Sequence, residues 1–423
     1  MAVTISQTYN EVQGNQEPLI CTVANGTSGQ ERFRYILQVN DGSSNIATIK
    51  QQMNGADVAH FDVHRIIDSL LSPTFENDYD SNGVHKIKQV TTNDGNVAYV
   101  QLRAGQEWAL SGTVNAPTEY LNETNESLYV FNSVYQFDDG LLPSSNPFQL
   151  LTANKTGIEF LTNQPTSIEV TQNEFRTLAF LNSNFDSETQ NLSLKITYFN
   201  DSGNIATHTL NLTGDLSAPS MVTAVNNTNK EEVYCFLPCG YQNLELLDTS
   251  SARPSNQAST PTGYKIQIVD SVNSINWQEM TFNIVCEPKY TPIQLAWVNR
   301  LGAWDYFSFN KKSTQQIEVE RKNYQKPYGS WNSATFAYSD YDRGKTTYKS
   351  KGKRQITLNT DYVNDETAAW LEELFLSKEV LIYEGDTYKA VTLVSSNYQI
   401  KTGVNEQFKS YSITVEIANE VRG

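Results

Sequence analysis

The chain has 423 residues, a net charge of −16 at neutral pH, and 23 Tyr, 18 Phe and 6 Trp spread along its length. That is too long for one small module and too aromatic for a disordered chain, so two to four packed domains are expected. The absence of any apolar run long enough to cross a bilayer predicts no membrane span, and the opening MAVTISQTYNEVQGN lacks the basic and apolar regions of a secretory signal.

The charge is unevenly placed. Residues 1–150 hold 7 basic against 17 acidic side chains, residues 151–286 hold 6 against 13, and residues 287–423 hold 18 against 17. An acidic front repels phosphate, so no nucleic-acid partner is expected there, and the balanced end is the expected docking region. Four cysteines (Cys21, Cys235, Cys239, Cys286) are too few for a disulfide framework and suit a reducing compartment.

Period-two alternation closed by Asn, Asp, Gly or Ser predicts an all-β fold, a multi-domain β-sandwich/barrel with two short helices. In chain order, residues 34–40 (RYILQVN) lead into the turn Asn40-Asp41-Gly42. A first helix is expected after Asp62 as N-cap, burying Val63, Ile66, Ile67, Leu70 and Leu71. His60 and His64 show metal-ligand spacing, but His60 then falls outside the helix and the two rings diverge. Asp78-Tyr79-Asp80-Ser81-Asn82-Gly83 matches the first half of a calcium loop, with Asp78, Asp80 and Asn82 as candidate ligands. Its twelfth position is Gln89 rather than a bidentate Glu, so a polar turn at Asn82-Gly83 is the simpler reading; calcium is the one cofactor for which ligands are offered.

Further on, residues 98–103 (AYVQLR) follow the turn Asn93-Asp94-Gly95, and residues 192–198 (LSLKITY) precede Asn200-Asp201-Ser202-Gly203. The tetrapeptide Asn-Ile-Ala-Thr recurs after two of these turns, at Asn45 and at Asn204, as it would in two related sandwiches. Residues 140–147 and 251–262 read as a linker and a long loop. The expected domains are therefore an N-terminal sandwich at 1–150, a second, Ig-like sandwich at 151–288 and a barrel-like assembly domain at 289–423. Cys235-x3-Cys239 could suggest zinc, yet alternation places Cys235 beside Val233 and Leu237 as a small apolar residue.

In the last domain, residues 343–354 concentrate basic side chains, including Lys345, Lys349, Lys351, Lys353 and Arg354. A charged edge strand or a polyanion site would use such a stretch; beside so acidic a front, contact with an acidic neighbouring subunit is the favoured reading. A second helix is expected over 365–376, with Ala368, Leu371, Leu374 and Phe375 inward, followed by closing strands at 380–383, 388–394 and 411–417. No nucleophile elbow, phosphate-cradling glycine loop or H-E-x-x-H occurs, and the paired acids Asp138-Asp139 and Asp340-x-Asp342 have the form of surface turns, so no enzyme is expected.

The succession of RYILQV (34–39), HFDVHRII (60–67) and PIQLAWVNRLGAWDYFSF (292–309), closed by the strand at 411–422, resembles virion structural proteins of tailed bacteriophages infecting Bacteroidetes, including crAss-like phages. The resemblance touches all three thirds of the chain and transfers no functional residue. It implies a virion component assembled in the host cytoplasm with other virion proteins as partners, in the tail or baseplate. Head-decoration and collar roles stay open. The final strands with one intervening helix are similar to the barrel of tail-tube and distal-tail proteins. That likeness implies a homo-oligomeric ring built by residues 289–423, with residues 1–288 projecting outward. A host-glycan-binding recognition protein, stacking sugars on exposed Tyr and Trp of the first two domains, is the alternative.

Overall fold

A computed structural model describes residues 3–7, 12–15, 18–41, 44–73, 75, 88–89, 97–109, 117–133, 160–181, 192–211, 234–247, 260–270, 275–276, 278–285, 289–329, 334–341, 344–384, 387–394, 409–419 and 421–422. The chain divides into two units, one of Met1–Cys286 with Val298–Asp305, the other of Glu287–Trp297 with Tyr306–Gly423.

The first unit opens with β1 (Thr4–Gln7), β2 (Val12–Gly14), β3 (Ile20–Ala24), β4 (Glu31–Asn40), β5 (Asn45–Gln51), β6 (Ala59–Asp62), α1 (His64–Asp68), β7 (Lys88–Gln89), β8 (Val97–Ala109) and β9 (Thr118–Phe131). Two sheets form, β1-β3-β6 and β2-β9-β8-β4-β5. Alternate residues of β4 (Phe33, Tyr35, Leu37, Val39) are buried in a core shared with Val23 of β3, Phe61 of β6 and Val100 of β8. α1 is shorter than the apolar run suggests. Asp62 still pairs with Ile20 in the sheet, so Val63 occupies the N-cap without a side-chain bond. Asp62 nevertheless fixes the helix entry, its Oδ1 accepting from the backbone N–H groups of Leu19 and His64, both at 3.1 Å.

The second sandwich comprises β10 (Ser167–Val170), β11 (Thr177–Leu181), β12 (Leu192–Asn200), β13 (Gly203–Asn211), β14 (Tyr234–Pro238), α2 (Tyr241–Leu247), β15 (Gly263–Asp270), β16 (Ile275–Asn276) and β17 (Met280–Ile284). Its larger sheet runs β10-β17-β15-β12-β13, with β16 beside β15, and the smaller is β11-β14-β7. Strand β7 pairs with β14 of this sandwich rather than with β8; the turn Asn93-Asp94-Gly95, like residues 140–147 and most of 251–262, lies outside the described residues.

Both sandwiches share one wiring. An early strand lies parallel to the last (β2 on β9, β10 on β17), a hairpin places β5 or β13 at the sheet edge, and a short helix follows β6 or β14. That is the strand order of an Ig-like sandwich. The repeated Asn-Ile-Ala-Thr falls on the corresponding edge strand, β5 and β13, in each. Tyr264, second in β15, donates its hydroxyl to the backbone O of Cys239 at 2.9 Å, in the manner of a tyrosine corner. Helix α2 has no counterpart in the sequence reading: seven residues with Asn243 among them give too little periodicity.

The second unit contributes β18 (Ile293–Val298), β19 (Trp304–Phe309), β20 (Thr314–Gln325), β21 (Lys345–Asn359), α3 (Asp365–Leu376), β22 (Val380–Glu384), β23 (Thr387–Leu393), β24 (Ser412–Ile417) and β25 (Val421–Arg422), although Val298, Trp304 and Asp305 fall in the first unit. Where the sequence suggests a barrel-like layer, the hydrogen-bonded path β19-β18-β22-β23-β24-β21-β20 ends at β19 and β20, with β25 beside β21. α3 supplies the filling that closure would: Trp370, Leu371 and Leu374 share one core with Trp297, Ile356, Ile382 and Val415. The acidic first turn and Asn364, whose Oδ1 accepts from Thr367 N–H at 2.8 Å, start this helix. Its buried face is wider than predicted, because Trp370 packs on Trp297 with ring centroids 5.1 Å apart, and Phe375 is only partly covered.

The turn joining β18 to β19 packs within the first unit. Asn299 Oδ1 accepts from the N–H groups of Leu301 and Ala303, both at 3.0 Å, and its Nδ2 donates to Leu161 O at 2.8 Å. Thr162 Oγ1 donates to the buried Asp305 at 2.7 Å.

Candidate assembly surface

β20 and β21 form a long antiparallel ribbon, and every residue of β20 is exposed. β20 is a terminal strand of the sheet, so one row of its backbone groups has no strand partner among the described residues. β21 has a second open stretch. On the side away from β20 it meets β24 through Gln355–Asn359 and β25 only through Lys351 and Gly352, which leaves residues 345–350 paired on one side alone among the described residues.

The ribbon's two faces differ. Gln315 lies opposite Ile356, Ile317 opposite Arg354 and Val319 opposite Gly352. Because Ile356 is fully buried, this face continues the core face beyond the last packed layer, where Ile317 stands 62% and Val319 41% exposed. The other face alternates charge: Glu318 opposite Lys353, Glu320 opposite Lys351, then Lys322 opposite Lys349. Two lysines directly opposite are unfavourable, and the register breaks just there, leaving Tyr348 as an extra residue. Tyr324, Tyr328, Phe336, Tyr338, Tyr341 and Tyr348 are all exposed at the distal end. Tyr324 contacts Tyr348 and Tyr328 contacts Tyr338 edge to face, with centroids 6.2 and 6.4 Å apart.

The five basic residues singled out from the sequence all lie on β21, which is the strand next to the edge and not the edge itself. They do not form one patch. Lys345 and Lys349 are exposed, and no ion pair joins either to a described residue. Lys351 is half-buried, and Lys353 pairs with Glu416 at 3.1 Å. Arg354 is committed within the sheet, bonding Gln315 Oε1 at 2.8 Å and the carboxylate of Glu384. Asp78, Asp80 and Asn82 lie outside the described residues, and no group of three or more His, Cys, Asp or Glu suited to a metal occurs among those described. His60, on β6, has its Nδ1 2.9 Å from Thr22 Oγ1 of β3, whereas His64 opens α1. Burial, with the nearby Glu126 charge, pushes the Cys21 thiol up to about 12, and burial also raises Cys239, so neither is poised as a nucleophile.

Hydrogen bonds from Lys389 and Arg354 hold the Glu384 carboxyl below the usual carboxylate range. A group with a lowered folded value stabilises above its unfolded value and loses that contribution as pH falls through the folded one. Glu384→Gln is therefore expected to cost under about 1 kcal/mol at pH 7, since the pair is partly solvated, and less at pH 3. Urea unfolding at the two pH values checks this, and an equal loss at both would contradict it.

One polar constellation escaped the sequence reading. Glu174 and Arg176, on the segment before β11, are both buried in the second sandwich and ion-paired, with Arg176 Nε donating to Glu174 Oε1 at 3.1 Å. Glu174 Oε2 accepts from Thr171 N–H at 2.9 Å, and Asn243 Oδ1 accepts from Arg176 N–H at 2.9 Å. Opposite charges two apart beside a strand were the available signal.

No family model matches this chain, and no curated protein does. Among solved structures, a crystal structure of Dpr2 Ig1-Ig2 in complex with DIP-Theta Ig1-Ig3 aligns at 9% identity, over 68% of this chain and 100% of that one, with a TM-score of 0.15. That likeness is too low to carry an argument, and the all-β, Ig-like description of this chain rests on its own strand order.

Proposed function

We propose that this chain is a structural component of a tailed-bacteriophage virion, a tail or baseplate protein that oligomerises through residues 289–423 and presents its acidic β-sandwiches outward. It contributes shape and contact surfaces and catalyses no reaction. The observation that carries the assembly part of this reading is the fully exposed β20, a twelve-residue edge strand whose core-side face bears uncovered Ile317 and Val319. The virion part rests on the sequence resemblance. Of the described large apolar side chains that are exposed, most lie on this ribbon and its tip, and only Met53 and Tyr120 belong to residues 1–286, which favours assembly over sugar stacking by the first two domains.

Fractionating purified particles of the encoding phage into heads and tails, with mass spectrometry of each, tests the assignment. Recovery with tails at stoichiometric level is expected. Recovery with heads would support the decoration or collar alternative, and absence from washed particles would overturn the proposal. A glycan array on the full chain addresses the recognition alternative, with no specific binding expected.

A further inference from the structure

We infer that two copies of this chain join edge to edge through β20, the strand of one copy pairing antiparallel with the same strand of the other about a two-fold axis at Asn323. The inference rests on the assembly reading above and names its contact. Lys326 donates its backbone N–H to Gly344 O at 2.8 Å, closing the ribbon on the β21 side. Alternation in an antiparallel pair then turns the N–H and C=O groups of Gln325, Asn323, Arg321 and Val319 outward. Among the described residues nothing else bonds those groups, and β20 is the last strand of the sheet on that side with every residue exposed. A second strand can therefore add there without displacing one already in the sheet.

Charge selects the register. About a two-fold axis normal to the sheet, one residue lies opposite its own counterpart and fixes every other pairing. Centring on Glu318, Glu320, Arg321 or Lys322 would set that charge against itself; centring on Val319 would set Glu318 against Glu320, and centring on Tyr324 would set Lys322 against Lys326. Centring on Asn323 sets no like charges opposite: Lys322 meets Tyr324 of the partner, Arg321 meets Gln325, and Glu320 meets Lys326, twice by symmetry. Glu320 then lies between Lys351 of its own chain and Lys326 of the partner. No ion pair joins Glu320 or Lys326 to a described residue of its own chain. The outward groups fall opposite one another in this register, so Asn323 bonds its counterpart and Arg321 bonds Gln325 on each side of the axis. Pro327 of the partner comes opposite Val319, partly covering it, and with no N–H to give it ends the ladder. Two residues on, Gly329 (φ +67°) turns the chain against Phe336 and Ala337, so each tip folds back on its own ribbon instead of running on along the partner's edge.

Sedimentation velocity on the purified full chain at micromolar concentration and low salt tests the pairing. The wild type is expected to form a dimer. E320K and K326E alone should each weaken dimerisation about tenfold, since each sets like charges opposite at two places, and the double variant E320K/K326E should recover it. Equal mixing of the two single variants should also restore the dimer, because unlike copies then meet with opposite charges at both places. N323P probes the backbone: it removes a donor that faces outward, costs the ribbon no ladder bond, and should leave the chain monomeric. Circular dichroism verifies the fold of each variant. Association that ignores N323P, a double variant no better than the singles, or a wild type that grows beyond two copies overturns the pairing while leaving assembly through residues 289–423 intact. A wild-type chain that stays monomeric overturns both the pairing and the assembly reading.

Discussion

Arg176→Ala is expected to destabilise the second sandwich by about 3–5 kcal/mol, because it leaves the Glu174 carboxylate buried without its counter-ion. The side chains of Glu174 and Arg176 are 1% and 2% exposed, so water cannot replace the lost partner. The guanidinium also lies over the Phe282 ring, 5.6 Å from its centroid, and Gln164 Oε1 lies 3.5 Å from its Nη1. Truncation therefore removes packing as well as charge. Replacing both members of the pair by apolar residues of similar size, Glu174→Leu with Arg176→Met, should recover most of the loss, since two charges then leave the interior together. Urea unfolding followed by intrinsic fluorescence would measure both. A single-variant cost below about 1 kcal/mol, or a double variant worse than the single, would contradict this account of the network.

Gly302→Ala is expected to cost on the order of 3 kcal/mol, from left-handed backbone strain together with hydrogen bonds lost as the turn shifts. Gly302 has φ +81°, and a Cβ there would sit 1.9 Å from the backbone O of Asn132, a contact no rotamer can relieve. The turn must move away, and in doing so it withdraws the Asn299 amide from Leu161 O. Two controls separate the sources. Gly203→Ala also sits at positive φ (+119°), but its Cβ would meet nothing within 4 Å, so its cost should be confined to strain. Asn299→Ala removes the hydrogen bonds without the clash. If Gly302→Ala costs no more than Gly203→Ala, the close approach to Asn132 is not what fixes glycine at this position.

The sequence revealed the strands well because most are half-buried, and burial on one face writes itself as alternation. β12 and β15 pair from Leu192 opposite Asp270 to Phe199 opposite Gly263, with Leu194, Ile196 and Ile268, Ile266 inward, the pattern that marked them as strands. α3 was legible from its acidic start and apolar face. The character of β20 was not. Thr-Gln-Gln-Ile-Glu-Val-Glu alternates as a buried strand does, and nothing in it tells that the core ends at Ile356 and leaves Ile317 and Val319 uncovered. For the same reason the basic half of the candidate surface was found and the acidic half, Glu318 and Glu320, was missed: scattered acids on a strand are unremarkable until the register sets them across from Lys353 and Lys351. The Glu174–Arg176 pair was hidden because burial of charge depends on what the rest of the sandwich places around it.

The first unit is not continuous in sequence: it takes its last piece, residues 298–305, from beyond a stretch that belongs to the second. During synthesis on the ribosome, the two sandwiches can fold early, but Leu161 O and Thr162 Oγ1 wait for Asn299 and Asp305 to leave the exit tunnel. A nascent chain stalled before residue 298 would carry every described strand of both sandwiches and still be unfinished, and a C-terminal truncation near 288, the natural choice for expressing the sandwiches alone, would reproduce that immature state.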